Sequence, residues 1–391
     1  MEKSSEPPHG FPRDLLSQPP EARLHYFETK VVAHQRLKEV HASLLQALRY
    51  PAGVSLILAV GPTGVGKTTL RRRMERQLVE DAQPSPTCSP GHIPVVGLEV
   101  PAPDGRNFNW KDYYTRALLA LDEPFVADKI TYEVCDLHRD EQGRLVIGRS
   151  LTIPDLRRAL EKTLLHRQPR AFIVDEAQHF RKMASGRRLL DQMDNLKSLA
   201  SMTNTVHVLV GTYELLGLTN LSAQLSRRSL VLHFPRYHAD NAEDLKEFRK
   251  LLRTLQKHLP LVVEPDLESH ADEFYERCLG CTGMLKTWLN RALAAALEQQ
   301  AKTITCALWQ RHAEPRSKLV QMIREIREGE QALAEDEAHH QELRTLLHLP
   351  CTDPLENDAA ASPQGSPQSQ PIPVGQRAPH RDPVGRENPC G

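Results

Sequence analysis

The sequence predicts an α/β fold, a parallel sheet sandwiched by helices and followed by a small C-terminal helical domain. Three observations carry that expectation. A phosphate-binding loop, Gly61-Pro62-Thr63-Gly64-Val65-Gly66-Lys67-Thr68, stands between an apolar run, Val54 to Val60, and a helix-compatible run, Thr69 to Glu80. Further apolar runs alternate with segments of helical periodicity, the pattern of a parallel sheet covered on both faces. Beyond Pro235 the apolar residues Leu245, Phe248, Leu251, Leu252 and Leu255 fall at helical spacing.

Composition bounds the rest. Of 391 residues, 40% are apolar and 26% charged, enough for a sizeable core, and the 5% aromatic content suits a helix-rich α/β protein better than a β-sandwich. Lys plus Arg and Asp plus Glu both number 50, which argues against a generic polycation and leaves room for a local basic surface. Seven scattered cysteines do not make a disulfide framework. The N-terminus carries Glu2 and prolines instead of a signal pattern, and no apolar stretch is long enough to span a bilayer. The expected location is cytoplasmic, with no membrane partner.

In chain order, residues 1–20 read as a loose Pro-rich arm and residues 21–235 as the α/β domain. Leu24 to Leu48 predict one or two amphipathic helices ahead of the first strand. The second strand is expected at Pro94 to Val100, followed by a helix from Trp110 to Leu121. Residues 126–150 interrupt the alternation: Ile130, Tyr132, Val134 and Leu137, then Asp140-Glu141-Gln142-Gly143, then Leu145, Val146 and Ile147 signal an inserted hairpin. A helix begins near Pro154, and strands follow at Ala171 to Val174, Val206 to Val210 and Leu230 to Phe234, with a helix at Leu189 to Ser201. Residues 236–312 read as a helical lid, 313–349 as one long charged helix, and 350–391 as a disordered Pro-rich tail.

The chemistry gathers around the loop. Its glycines bring backbone amides close to phosphates, Lys67 is expected to reach the β- and γ-phosphates, and Thr68 to ligate magnesium at the helix N-terminus. Asp175 ends an apolar strand, where it can hold magnesium through water; Glu176, the next residue, is placed to polarise the attacking water. Thr212 follows the next strand and can hydrogen-bond the γ-phosphate or the water; the competing reading is a locally satisfied turn hydroxyl. Arg227 and Arg228 precede the last strand, where an arginine can reach a neighbouring subunit's nucleotide. Lys286 opens a lid helix and could sense the γ-phosphate, or be an ordinary solvated lysine. Cys278 and Cys281 lack a partner pair for zinc and read as core or capping thiols.

With these motifs in order, the chain resembles the AAA+ ATPases, and within them the transposition regulators of the TnsC, TniB and MuB group. The resemblance spans about residues 21–300 and rests on several stretches. They are Gly61 to Thr69, Val174-Asp175-Glu176-Ala177-Gln178-His179, Val210-Gly211-Thr212-Tyr213-Glu214-Leu215, Gln224-Leu225-Ser226-Arg227-Arg228, and Asn109-Trp110-Lys111-Asp112-Tyr113-Tyr114. It implies a slow, regulatory ATPase using ATP and Mg2+ that forms rings or helical filaments on duplex DNA without sequence preference. In this resemblance the assembly links a target-selection adaptor to transposase subunits, and hydrolysis disassembles it. Arg228 fits the family's finger position better than Arg227, and the pore-loop DNA contacts map to Arg106, Lys111, Lys129 and Arg149. Two phosphate contacts on each of six subunits would give a salt slope of about −11. Two other readings stay open: a non-DNA nucleotide switch for secretion assembly or signalling, and a replication-initiator or helicase-loader ATPase.

Overall fold

The structure, a computed structural model, describes residues 10–82, 91–102, 108–124, 126, 137–139, 145–147, 152–180, 187–219, 227–334 and 337–349, with side chains set aside at 137–139, 145–147, 187–193 and 337–341. Strand β1 (Leu56–Val60) is buried at every position, as a strand covered on both faces requires. It lies between β6 (Val206–Gly211) and β7 (Ser229–His233); β5 (Ala171–Asp175) joins β6, and β2 (Val95–Glu99) forms the edge. Every pairing in this sheet of order β2-β5-β6-β1-β7 is parallel. All C-terminal strand ends therefore share one edge, which places the turns after β1, β5 and β6 side by side.

Helices Gln35–Arg49 and Lys67–Asp81 cover one face, setting Leu37, Leu44, Leu70 and Met74 against Ile57, Ile173 and Val208. Helices Trp110–Ala120, Ile153–Arg167 and Arg187–Thr203 cover the other, with Leu118, Leu160 and Leu199 against Leu58, Phe172 and Leu209. Each such fully buried side chain contributes about 2 kcal/mol of hydrophobic stabilisation. Local signals set the helix starts. Thr152 and Asp155 form a reciprocal capping box, and Asn109 accepts from the Asp112 amide. Trp110, Tyr113 and Tyr114 pack with Phe108 and Phe180 as an aromatic cluster behind β5. In the inserted segment, β3 (Leu137–Arg139) pairs antiparallel with β4 (Leu145–Ile147), from Leu137 opposite Ile147 to Arg139 opposite Leu145.

The helical region comprises Ala242–His258, Ala271–Cys278, Thr282–Glu298 and Cys306–Arg311 around a core that includes Phe248, Leu252, Phe274 and Leu289. Phe27, on helix Pro20–Thr29, is fully buried in that core. The first amphipathic helix thus packs with the lid residues and not with the sheet. Periodicity shows that a face must be buried, but not against which core.

Two other expectations change. The N-terminal arm is not loose from residue 10 onward: Phe11 and Leu15 are buried, Tyr26 Oη donates to the Gly10 carbonyl at 3.1 Å, and Arg23 Nε donates to Pro260 O at 2.9 Å. The charged helix is two helices, Arg316–Leu333 and Glu337–Leu346, and the boundary between two compact units falls after Leu333. The first of the pair is not simply solvated. Leu319 and Ile326 are buried, and Gly329 meets the Tyr213 ring so closely that a Cβ there would clash with it. Arg236 Nε donates to Glu330 Oε1 at 2.9 Å, fixing that helix beside the β7 exit. Charge density hid the one face that packs. The second unit is described only at Ala334, over Glu337–Leu346 and at the few residues after it. Residues 1–9 and 350–391 lie outside the described residues.

Candidate nucleotide site

The loop after β1 turns through left-handed backbone at Gly64 (φ 78°) and Gly66 (φ 111°), conformations that a side chain would strain. Lys67 opens the following helix with its side chain folded back into the loop; Nζ donates to Gly61 O at 3.1 Å and Pro62 O at 2.9 Å. Burial lowers the pKa of this amine, and Glu176 and Asp175 nearby oppose the shift. A buried cation resting on carbonyls is placed to exchange them for phosphate oxygens.

A cavity of about 360 Å³ opens above the loop. Thr63, Gly64, Gly66, Lys67, Thr68 and Thr69 line one side, joined by Glu176 from the β5 turn and Thr212 from the β6 turn. The sheet order brings these together because β6 separates β1 from β5 by a single strand. Thr212 Oγ1 is buried without a hydrogen-bond partner among the described residues, which fits a hydroxyl kept for a ligand. Val65 is buried beneath the loop.

Asp175 is almost fully buried at the end of β5. Its Oδ1 accepts from the Glu176 amide at 3.0 Å, and its Oδ2 lies 3.4 Å from Arg71 Nε. Arg71 stands one helical turn beyond Lys67 and also lies 3.5 Å from Glu75. The sequence motifs alone do not point to Arg71, although a spacing of four from Lys67 puts both residues on one helix face. Of the two residues expected to serve magnesium, Thr68 lines the cavity, and Asp175 lies beneath it with its oxygens turned to the Glu176 amide and Arg71. No cluster of three or more His, Cys, Asp or Glu suited to a metal occurs among the described residues. Two protein oxygens with phosphate and water completing the shell suit magnesium, which keeps much of its hydration.

The opposite wall comes from the helical region: Met284, Thr287, Trp288 and Arg291 on Thr282–Glu298, Arg277, and Lys318 and Met322 on Arg316–Leu333. Its cations converge on Glu314. Arg291 Nη1 and Lys318 Nζ approach the carboxylate at 2.8 and 2.9 Å, and Arg277 Nη1 donates to the Glu314 carbonyl at 3.0 Å. The wall is fastened to the loop by backbone. Gly64 O accepts from Gly283 N at 2.7 Å and Met284 N at 3.1 Å, while Thr282 Oγ1 donates to Val65 O at 2.8 Å.

Lys286 is placed differently from expectation. It lines a second cavity, of about 130 Å³, with Val32, His34, Leu37, Leu251 and Leu255, on the other side of Gly66, Thr69 and Gly283. Its amine donates to Phe27 O and to Lys30 O, the latter at 2.8 Å, and sits 4.0 Å from the Phe27 ring centroid. Burial pushes its pKa down to about 8. The helix that carries Lys286 turns it toward the N-terminal segment and away from the phosphate cavity, so it does not stand as a γ-phosphate sensor; Arg291 and Lys318 occupy that wall instead.

Arg228 is at the opposite end of the sheet. It directly precedes β7, its carbonyl accepts from Ser55 N and Leu56 N, and its Nη1 donates to Ser201 Oγ at 3.2 Å. Arg227 beside it is exposed. Because β7 and β1 are parallel, neither arginine can reach the loop of its own chain. Lys111 is exposed on the first turn of its helix; Arg106, Lys129 and Arg149 lie outside the described residues. Cys278 and Cys281 are fully buried, their thiols directed at the carbonyls of Tyr275 and Leu279. No described helix is long and apolar enough to cross a membrane.

Residues 52–219 match the family model described as AAA domain. The chain is similar in structure to the Aeropyrum pernix ORC2 protein in its ADP form, at 16% identity over 74% of this chain and 71% of that one, with a TM-score of 0.46. It is also similar to Cdc6p from Pyrobaculum aerophilum, at 15% identity over 72% and 67%, TM-score 0.46. A third likeness is domain III of the replication initiation protein DnaA from Thermotoga maritima, at 13% identity over 77% and 96%, TM-score 0.38. No curated protein sequence matches the chain. Parallel sheet, phosphate loop and C-terminal helical region together make the AAA+ P-loop fold.

Proposed function

We propose that the chain binds ATP with magnesium between the sheet edge and the helical wall, hydrolyses it slowly, and acts as a nucleotide-gated regulator of transposition that oligomerises on duplex DNA. The observation that carries the nucleotide half is the convergence of Lys67, Thr68, Glu176 and Thr212 on one cavity, with Asp175 buried beneath it. The loop would hold the phosphates, and the smaller cavity beside His34 and Leu251 would take the base. Bound magnesium would screen phosphate charge and orient the γ-phosphate. Lys67 transfers its donors from Gly61 O and Pro62 O to phosphate oxygens. Glu176 accepts a proton from the attacking water, and the Thr212 hydroxyl orients either that water or the γ-phosphate.

What supports the oligomer is the separation of Arg228 from its own site. An exposed arginine at the far end of the sheet can act on a triphosphate only in a second copy. The transposition half, with transposase subunits and a target-selection adaptor as partners, is supported by the motif resemblance. The exposed Lys111 serves as one backbone contact of a sequence-tolerant DNA surface.

Electron microscopy with duplex DNA tests this reading. Rings or filaments are expected with a non-hydrolysable ATP analogue and are expected to be lost with ADP. Arg228→Ala should keep ATP binding yet abolish assembly-dependent hydrolysis. Nucleotide-dependent assembly that ignores DNA would favour the switch reading, and a DNA-bound assembly that loads a helicase would favour the initiator reading.

A further inference from the structure

Gln178 occupies the short turn Ala177–Phe180 that follows the Asp175-Glu176 pair, and it is only 5% exposed. Its side chain joins two turns. Nε2 donates to Glu176 Oε2 at 2.6 Å, and Oε1 accepts from the Thr212 backbone N–H at 3.3 Å. Chemistry fixes which way the amide points. The backbone N–H can only donate and so must face Oε1, while an ionised carboxylate can only accept and so must face Nε2. The end of β6 is built to admit this group, because a Cβ on Gly211 would stand 2.5 Å from Gln178 Oε1. Glu176 itself holds left-handed backbone at φ 54°, an uncommon conformation for its type that surrounding contacts must maintain.

We infer that Gln178 is a positioning residue for hydrolysis, tying the Glu176 carboxylate to the Thr212 turn so that proton acceptor and hydroxyl keep one relative geometry. The inference rests on the reading of Glu176 as the group that activates water. An amide donor suits that role, because it holds one of the two carboxylate oxygens and leaves the other for water. Gln178 lines the same cavity as both partners, so the bridge lies beside the reacting groups.

The test is steady-state ATP hydrolysis and ATP affinity for Gln178→Met, which keeps most of the volume and removes both hydrogen bonds. The expected result is a kcat lowered at least about tenfold with the ATP Kd unchanged within about twofold. In a Glu176→Gln background the same substitution should cost nothing further, because there is no longer a base to aim. Gln178→Asn provides a second readout that survives poor folding of the first variant. It keeps the amide but shortens its reach, so kcat should fall while the ATP Kd stays within about twofold. Gln178→Met or Gln178→Asn at wild-type kcat, an equal loss in Kd and kcat, or a loss that persists in the Glu176→Gln background would each overturn the inference. Glu176→Gln decides which idea has failed. If it hydrolyses ATP at the wild-type rate, the reading of Glu176 falls and this one with it; if it is inactive while Gln178→Met is normal, only this inference falls.

Discussion

The two walls of the phosphate cavity are built by different means. On the sheet side, Lys67, Thr68, Glu176 and Thr212 stand on turns fixed by parallel strands whose residues are buried. On the helical side, Arg291 and Lys318 are about half exposed and held by one carboxylate, Glu314, that is 22% exposed. Ion pairs of that exposure are each worth about 1 kcal/mol or less, whereas displacing a strand end disturbs a close-packed core. The contrast divides the labour of the site. The residues proposed to act on the nucleotide sit on the rigid wall, and the cations that share Glu314 sit on the soft one.

Four substitutions bear on this contrast. The largest effect is expected from Lys67→Ala on the rigid wall. The ATP Kd should rise at least about 100-fold, near 3 kcal/mol, by calorimetric titration. A small change would mean that the loop does not hold the phosphates. Next is Gly329→Val, which forces a branched side chain into the Tyr213 ring. Unfolding in urea should show a loss of about 1–3 kcal/mol, and the Thr212 turn beside that ring should lose hydrolytic rate. An unchanged midpoint would show that the C-terminal helix does not brace the rigid wall.

The third concerns His207, fully buried in β6 against Phe172, with a pKa pushed down to about 4 by burial. Between its ordinary value of 6.5 and about 4, the unfolded chain carries the extra proton and the folded chain does not. Stability should therefore fall as pH drops through that window, by up to about 1.4 kcal/mol per pH unit, and be insensitive to this group above it. His207→Leu should remove that slope from pH-dependent urea melts. The smallest effect is expected from Glu314→Gln on the soft wall. Stability should change by less than about 1 kcal/mol, and ATP should bind up to about threefold tighter as Arg291 and Lys318 are released. A large loss of stability would show that wall to be as rigid as its opposite.

Much of the site was legible in the sequence because its groups sit next to strong local signals. The loop from Gly61 to Thr68 follows an all-apolar strand, and Asp175 and Thr212 each end or follow another. Parallel strands bring such ends together whatever the details between them. What could not be read depends on packing between distant segments. Lys286 carries the right charge in the right helix, yet the docking of Phe27 into the helical core turned its amine toward the N-terminal carbonyls. Lys318 and Met322 belong to a helix whose charged sequence resembles a solvated one, and only Leu319, Ile326 and Gly329 reveal a buried stripe. Gln178 was visible as part of a motif, but its bridge needs the Thr212 amide of another strand.

The carbonyl of Gly64 accepts two amides from the first turn of helix Thr282–Glu298. With Val65 O, which accepts from Thr282 Oγ1, it makes two successive carbonyls the fastening between the cradle and its cover. The peptide that lines the cradle is thus the peptide that anchors the cover.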